Sequence, residues 1–117
     1  MSTSKTVFID IDGTILKHPG NLSNLHHQDP TVLPNVIKKL DEWSYKGYRI
    51  IVTTARPESM KKFTVWQLRK ANIFYNDLIM GIPHGSRVII NDKKPNGNVS
   101  AEAYSVERDA GLGSVEI

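Results

Sequence analysis

Residues 6–14 read Thr6-Val7-Phe8-Ile9-Asp10-Ile11-Asp12-Gly13-Thr14, a β-branched apolar run that ends in an acidic turn. Side chains alternate between the two faces of a strand, so Asp10 and Asp12 should project on the same side. Two neighbouring carboxylates repel each other unless a cation lies between them. Mg²⁺ suits that position, because it binds one or two carboxylates and takes its other ligands from water and substrate phosphate. An ordinary polar turn is the alternative interpretation of the same residues.

The composition of the chain limits the classes of protein to which it can belong. The chain has 117 residues, 39% hydrophobic and 23% charged, which predicts one globular domain spanning residues 1–117. It contains no cysteine, no secretory core after Met1–Lys5 and no apolar run of the ~20 residues that a membrane span needs. We therefore expect a cytoplasmic protein without disulfides or membrane contact. The net charge of +3 suits a small anionic substrate and is too weak to indicate nucleic-acid binding.

The order of the predicted elements indicates the fold class. Strands are predicted at residues 5–11, 48–54, 77–80 and 87–91, with helices at residues 31–46 and 57–70. This alternation is typical of an α/β fold with a mostly parallel sheet. Residues 15–30 form an irregular excursion whose His26 and His27 we interpret as solvated. In the tail, we expect an extended edge segment at residues 99–106 and fraying at residues 111–114.

Polar residues follow three of the predicted strands at their carboxyl ends, which is where open parallel sheets bind ligands. The sets are Asp10, Asp12, Gly13 and Thr14; Thr53, Thr54 and Arg56; and Asn91, Asp92, Lys93 and Lys94. In the first set we expect Gly13 and Thr14 to contact phosphate, because Gly13 lets the backbone approach a ligand and Thr14 offers a hydroxyl beside it.

Residues gathered at such an edge could catalyse phosphoryl transfer through an aspartyl-phosphate intermediate. Asp10 would attack phosphorus, which divides one difficult displacement into two easier ones. Asp12 would exchange protons with the leaving group and with water. A threonine at the end of the second strand would hold a phosphoryl oxygen, and Asp92 would complete the Mg²⁺ site.

The order of these motifs over residues 5–95 resembles the haloacid dehalogenase (HAD) superfamily of phosphatases, and the short excursion resembles its capless sugar-phosphate type. The resemblance implies a Rossmann-like three-layer fold, a minimal capless core and Mg²⁺ as cofactor. By motif, Asp10 matches the nucleophile, and Asp12 matches the acid/base, whose backbone carbonyl also binds the metal. Thr54 matches the phosphate-binding threonine, with Thr53 as the fallback. Asp92 matches the metal-binding acid.

The third motif departs from the family pattern. Capless relatives commonly carry Gly-Lys-Pro, whereas this chain has Gly81-Ile82-Pro83. A substitute cation would come from Arg87, Lys93, Lys94 or Lys62, and Arg56 is a further candidate for binding phosphate.

Three functional hypotheses remain open at this stage. The favoured one is a Mg²⁺-dependent phosphomonoesterase for a small phosphorylated metabolite such as a sugar phosphate. A catalytically weak module that binds a phosphorylated ligand, and a polynucleotide 3′-phosphatase, are the alternatives. A neighbouring subunit could complete the substrate pocket of a capless protein, so the chain could also act as a homo-oligomer.

Overall fold

A computed structural model of the chain describes residues 4–21 and 29–117, so His26 and His27 lie outside the described residues. Its sheet consists of three parallel strands in the order β1 (Thr6–Ile9), β2 (Arg49–Thr53) and β3 (Asp77–Ile79). The predicted α/β fold with a parallel, Rossmann-like sheet is confirmed. The ends of β1 and β2 meet at one edge, because Ile9 pairs with Val52.

Two helices connect the strands. Helix α1 (Val36–Tyr45) follows β1 and helix α2 (Lys61–Lys70) follows β2, the latter after a short 3-10 turn at Glu58–Met60. Helix α1 begins later than predicted, because Asn35 has a left-handed backbone (φ 62°) that a helix cannot include. It buries Val36, Leu40 and Trp43 against the sheet. None of the described helices is long and apolar enough to cross a membrane.

Helix α2 buries a different face from the one that its apolar residues suggest. The side chains it buries are Thr64, Gln67 and Leu68. Trp66, whose place in the apolar helical spacing of the sequence predicts a core position, is instead 48% exposed and lies beside Lys70, whose Nζ is 5.1 Å from the ring centre. The polar residues on the buried face indicate that a polar group lies beneath α2.

The fourth predicted strand does not form. Residues 83–105, here called the arm, are exposed throughout, with Val88 79% and Ile90 91% exposed. The arm bonds mainly to itself: the Lys94 N–H donates to the Asn98 carbonyl and the Ser100 hydroxyl to the Asp92 carbonyl. The prediction rested on β-branched residues, and such residues form a strand only where a neighbouring edge accepts their backbone hydrogen bonds. The edge segment expected at residues 99–106 is likewise unpaired.

The chain ends in a packed segment, residues 107–117, here called the tail. Leu112 and Val115 are buried in the core, and the Leu112 N–H donates to the Pro34 carbonyl at 3.0 Å. Gly111 has φ 84° and lies so close to Pro34 that a side chain there would collide with it. The expectation that residues 111–114 fray is therefore wrong.

Candidate active site

Asp10 lies just beyond the carboxyl end of β1. The residue as a whole is exposed, yet protein atoms shield the inner side of its carboxyl. This desolvation raises the pKa of Asp10, and the charge of Asp12 raises it further, while the Ile11 N–H and the charges of Arg87 and His18 pull it down. Asp10 forms no ion pair within the described part of the chain. Its carboxylate is thus accessible to solvent, and the charge of Arg87 acts on it.

The pKa of Asp10 gives a first prediction. In metal-free protein, ¹³C NMR titration should give a value above the ~3.9 of an isolated Asp. Arg87→Gln should raise it further, since that charge stabilises the ionised carboxylate. Arg49→Gln is the matched control, because Arg49 begins β2 at the opposite end of the sheet. If the pKa of Asp10 were the same in wild type and in Arg87→Gln, Arg87 would not act on the site.

Asp12 is held by a buried arginine. The Arg56 Nε and Nη2 groups donate to Asp12 Oδ2 and Oδ1 at 3.0 and 2.8 Å, a bidentate ion pair. The side chain of Arg56 is 1% exposed and that of Asp12 is 15% exposed. This pair fixes the orientation of the Asp12 carboxylate beside Asp10.

The remaining contacts of Arg56 explain the polar face of α2. Its Nη1 donates to Thr64 Oγ1 at 3.1 Å and to Gln67 Oε1 at 2.8 Å. The guanidinium is buried and bonded inside the protein, so it would have to give up these hydrogen bonds to reach a phosphate, and the predicted phosphate contact of Arg56 stays a prediction. Its observed contacts hold the Asp12 carboxylate in place.

The threonines at the end of β2 occupy different environments. Thr54 is buried, and its Oγ1 accepts the Arg56 backbone N–H at 3.1 Å, which leaves its own hydroxyl proton to donate elsewhere. Thr53 is half-buried as the last residue of β2. Both lie at the edge that carries Asp10, as the predicted phosphate contact requires.

Gly13 and Thr14 lie in a tight loop after β1, the Gly13 loop (residues 13–18). Their backbone N–H groups donate to the carbonyls of Leu16 and Ile11, so these donors are used within the loop. Gly13 has φ 87°, a conformation that favours glycine. If Gly13 and Thr14 bind phosphate, as predicted, the hydroxyl of Thr14 is the group left to do so.

Asp92 does not form a metal cluster with Asp10 and Asp12, because no group of three or more acidic, His or Cys residues suited to a metal occurs among residues 4–21 and 29–117. Asp92 and Lys93 are exposed on the arm. Of the substitute cations proposed from the sequence, Arg87 on the arm has a charge that acts on Asp10.

Sequence reasoning missed two residues beside the acidic pair. His18 packs near Gly13, and its Nδ1 accepts the Gly20 N–H at 3.0 Å. Asp109 in the tail bonds to the Gly13 loop. His18 could have been suspected from its nearness to the acidic turn, whereas nothing in the sequence pointed to Asp109.

The donors at this edge are compatible with Mg²⁺. Asp10 offers a carboxylate free of ion pairs among the described residues, and the Asp12 backbone carbonyl follows it in the chain. Mg²⁺ keeps several waters and needs few protein carboxylates, so two oxygen donors plus substrate phosphate are enough.

Fold and site together define an α/β domain with a Rossmann-like parallel sheet and an acidic pair at its edge. Residues 7–94 match the family described as "PITM 1-3, LNS2 domain", and the chain belongs to this family, which is associated with phosphatase activity. No curated protein matches the chain. A solved structural-genomics target from Vibrio cholerae is similar, with a TM-score of 0.53 and 21% identity over 74% of this chain and 79% of its own. At that identity the likeness concerns the fold alone.

Proposed function

We propose that this domain is a Mg²⁺-dependent phosphomonoesterase that forms an aspartyl-phosphate on Asp10. One observation carries the proposal. Asp10 forms no ion pair among the described residues and meets solvent, while the adjacent Asp12 is ion-paired with Arg56 and held by it. An accessible carboxylate beside a fixed one is what a nucleophile and a proton carrier require.

The residues divide the reaction between them. The Asp10 carboxylate attacks phosphorus and the leaving oxygen departs, which leaves the phosphoryl group on Asp10. Each Asp12 oxygen accepts one N–H from Arg56 and keeps a second lone pair, through which Asp12 exchanges a proton with the leaving group and then with the attacking water. The Thr54 hydroxyl is suited to donate to a phosphoryl oxygen. A bound Mg²⁺ would neutralise charge on the phosphate.

The cation that replaces the family lysine is best sought in Arg87. Position 82 is a half-buried Ile whose N–H donates to the Thr54 carbonyl. The charge of Arg87 acts on Asp10, so Arg87 is placed to act on a phosphate that approaches that carboxylate.

The substrate is proposed to be a small phosphorylated metabolite, such as a sugar phosphate. The mild positive charge suits an anion of that size better than a polynucleotide. A second candidate, a module that binds a phosphorylated ligand with little turnover, is favoured by Ile82 and by the absence, among the described residues, of a metal-binding cluster that includes Asp92.

Phosphate release tests the proposal. Wild-type protein with Mg²⁺ should hydrolyse at least one member of a panel of sugar phosphates, nucleotides and a 3′-phosphorylated oligonucleotide. EDTA should stop the release and added Mg²⁺ should restore it. If the protein binds these compounds but releases phosphate from none of them, the binding module is favoured. If it prefers the 3′-phosphorylated oligonucleotide, a polynucleotide 3′-phosphatase is favoured.

A further inference from the structure

The tail reaches back to the loop that follows the acidic pair. The Asp109 N–H donates to the Gly13 carbonyl at 2.9 Å, and Asp109 Oδ1 accepts the His18 N–H at 2.7 Å. One residue therefore ties together the two ends of the Gly13 loop, from a position 91 residues beyond His18 in the chain.

Two side chains, those of Arg108 and His18, also pack on Gly13, the residue that follows the acidic pair. The Arg108 side chain covers Gly13, with its Cγ 3.0 Å from where a Cβ on Gly13 would lie. The ring of His18 lies against the same glycine, and its Nδ1 accepts the Gly20 N–H. Holding the His18 backbone thus also sets the place of its ring, which lies against Gly13 next to the acidic pair.

The tail has contacts with the core that do not involve Asp109. Leu112 and Val115 are buried in the core, and Lys39 pairs with Glu116 at 2.9 Å. The contacts of Asp109 are directed at the Gly13 loop instead. Moreover, Asp109 has φ 64°, a conformation that non-glycine residues seldom adopt, and here it brings both its N–H and its carboxylate to the loop.

We propose that Asp109 is a positioning residue of the active site: it holds the Gly13 loop, and with it His18, in place beside the acidic pair. The inference rests on the proposed function for its effect on turnover, but not for its effect on the loop. A loop fixed from both ends spares the site the cost of ordering it when substrate binds.

Two substitutions separate the hydrogen bond from the backbone conformation. Asp109→Asn keeps an acceptor oxygen, and Asn tolerates positive φ. Asp109→Gly tolerates positive φ as well but removes the acceptor. Glu116→Gln is the control, because it weakens an ion pair of the tail that lies away from the loop.

Amide hydrogen exchange and steady-state kinetics together test the proposal. In Asp109→Gly, the His18 amide should exchange about fivefold faster or more. The kcat for the best phosphomonoester should fall about tenfold, with Asn close to wild type. Equal exchange in all variants, or an equal loss in Asp109→Gly and Glu116→Gln, would overturn the proposal. An inactive wild type would refute the proposed function alone, and exchange at His18 would still decide the role of Asp109.

Discussion

Replacing Arg56 by alanine should lower the free energy of unfolding by about 3–5 kcal/mol, the usual cost of removing one partner of a buried ion pair. The variant leaves the Asp12 carboxylate, which is 15% exposed, without its bidentate partner. Thr64 and Gln67 lose their bonds to the guanidinium as well. A cavity under α2 adds to the loss.

Urea unfolding of wild type, Arg56→Ala and Arg69→Ala measures this effect. Arg69 is exposed on α2, so its replacement should change stability by no more than about 0.5 kcal/mol. Arg56→Lys should recover only part of the loss, since an ammonium cannot form the paired contacts to Asp12. If Arg56→Ala proved as stable as Arg69→Ala, the buried pair would not hold the site together.

Asp10→Asn should reduce turnover by at least about a thousandfold, because an amide cannot replace the carboxylate as nucleophile. The fold should persist. The raised pKa of Asp10 means that its ionised form is disfavoured in the folded protein, so the stability it contributes is present at low pH and is lost as the pH rises through that pKa. Removing the charge should therefore leave stability at neutral pH unchanged or slightly higher.

The matched control is Asp41→Asn, which changes the same group on the exposed side of α1. It should keep wild-type turnover and stability. Substantial turnover in Asp10→Asn, measured by phosphate release with Mg²⁺, would reject Asp10 as the nucleophile.

The parts of the fold that could be predicted are those that depend on local pattern. The run Thr6–Ile9 and the acidic turn after it gave both β1 and the acidic pair, because alternation on a strand and parallel pairing follow from short-range rules. Helix α2 was predicted at nearly its observed bounds, but its buried face was not. Thr64 and Gln67 lie inside because they bond to Arg56, and no periodicity of apolar residues contains that information.

Local sequence pattern predicted more order than the structure has in the arm and less order than it has in the tail. Residues 87–91 have strand composition, yet Val88 and Ile90 are exposed because no edge pairs with them. The sequence predicts fraying at residues 111–114, yet Gly111 allows the close approach to Pro34 beside which Leu112 is buried. Whether each segment packs depends on contacts between residues far apart in sequence. The arm lacks a partner strand, whereas the tail has such contacts, for example Asp109 with His18.

The most direct test of the account is to trap the phosphoryl group on the protein. Wild-type domain mixed with its best phosphomonoester and Mg²⁺ would be quenched in acid during turnover and reduced with borohydride. Mass spectrometry would then locate the modified side chain. The account predicts reduction at Asp10 in wild type and none in Asp10→Asn. Phosphate release with the phosphoryl group on any other residue would contradict it.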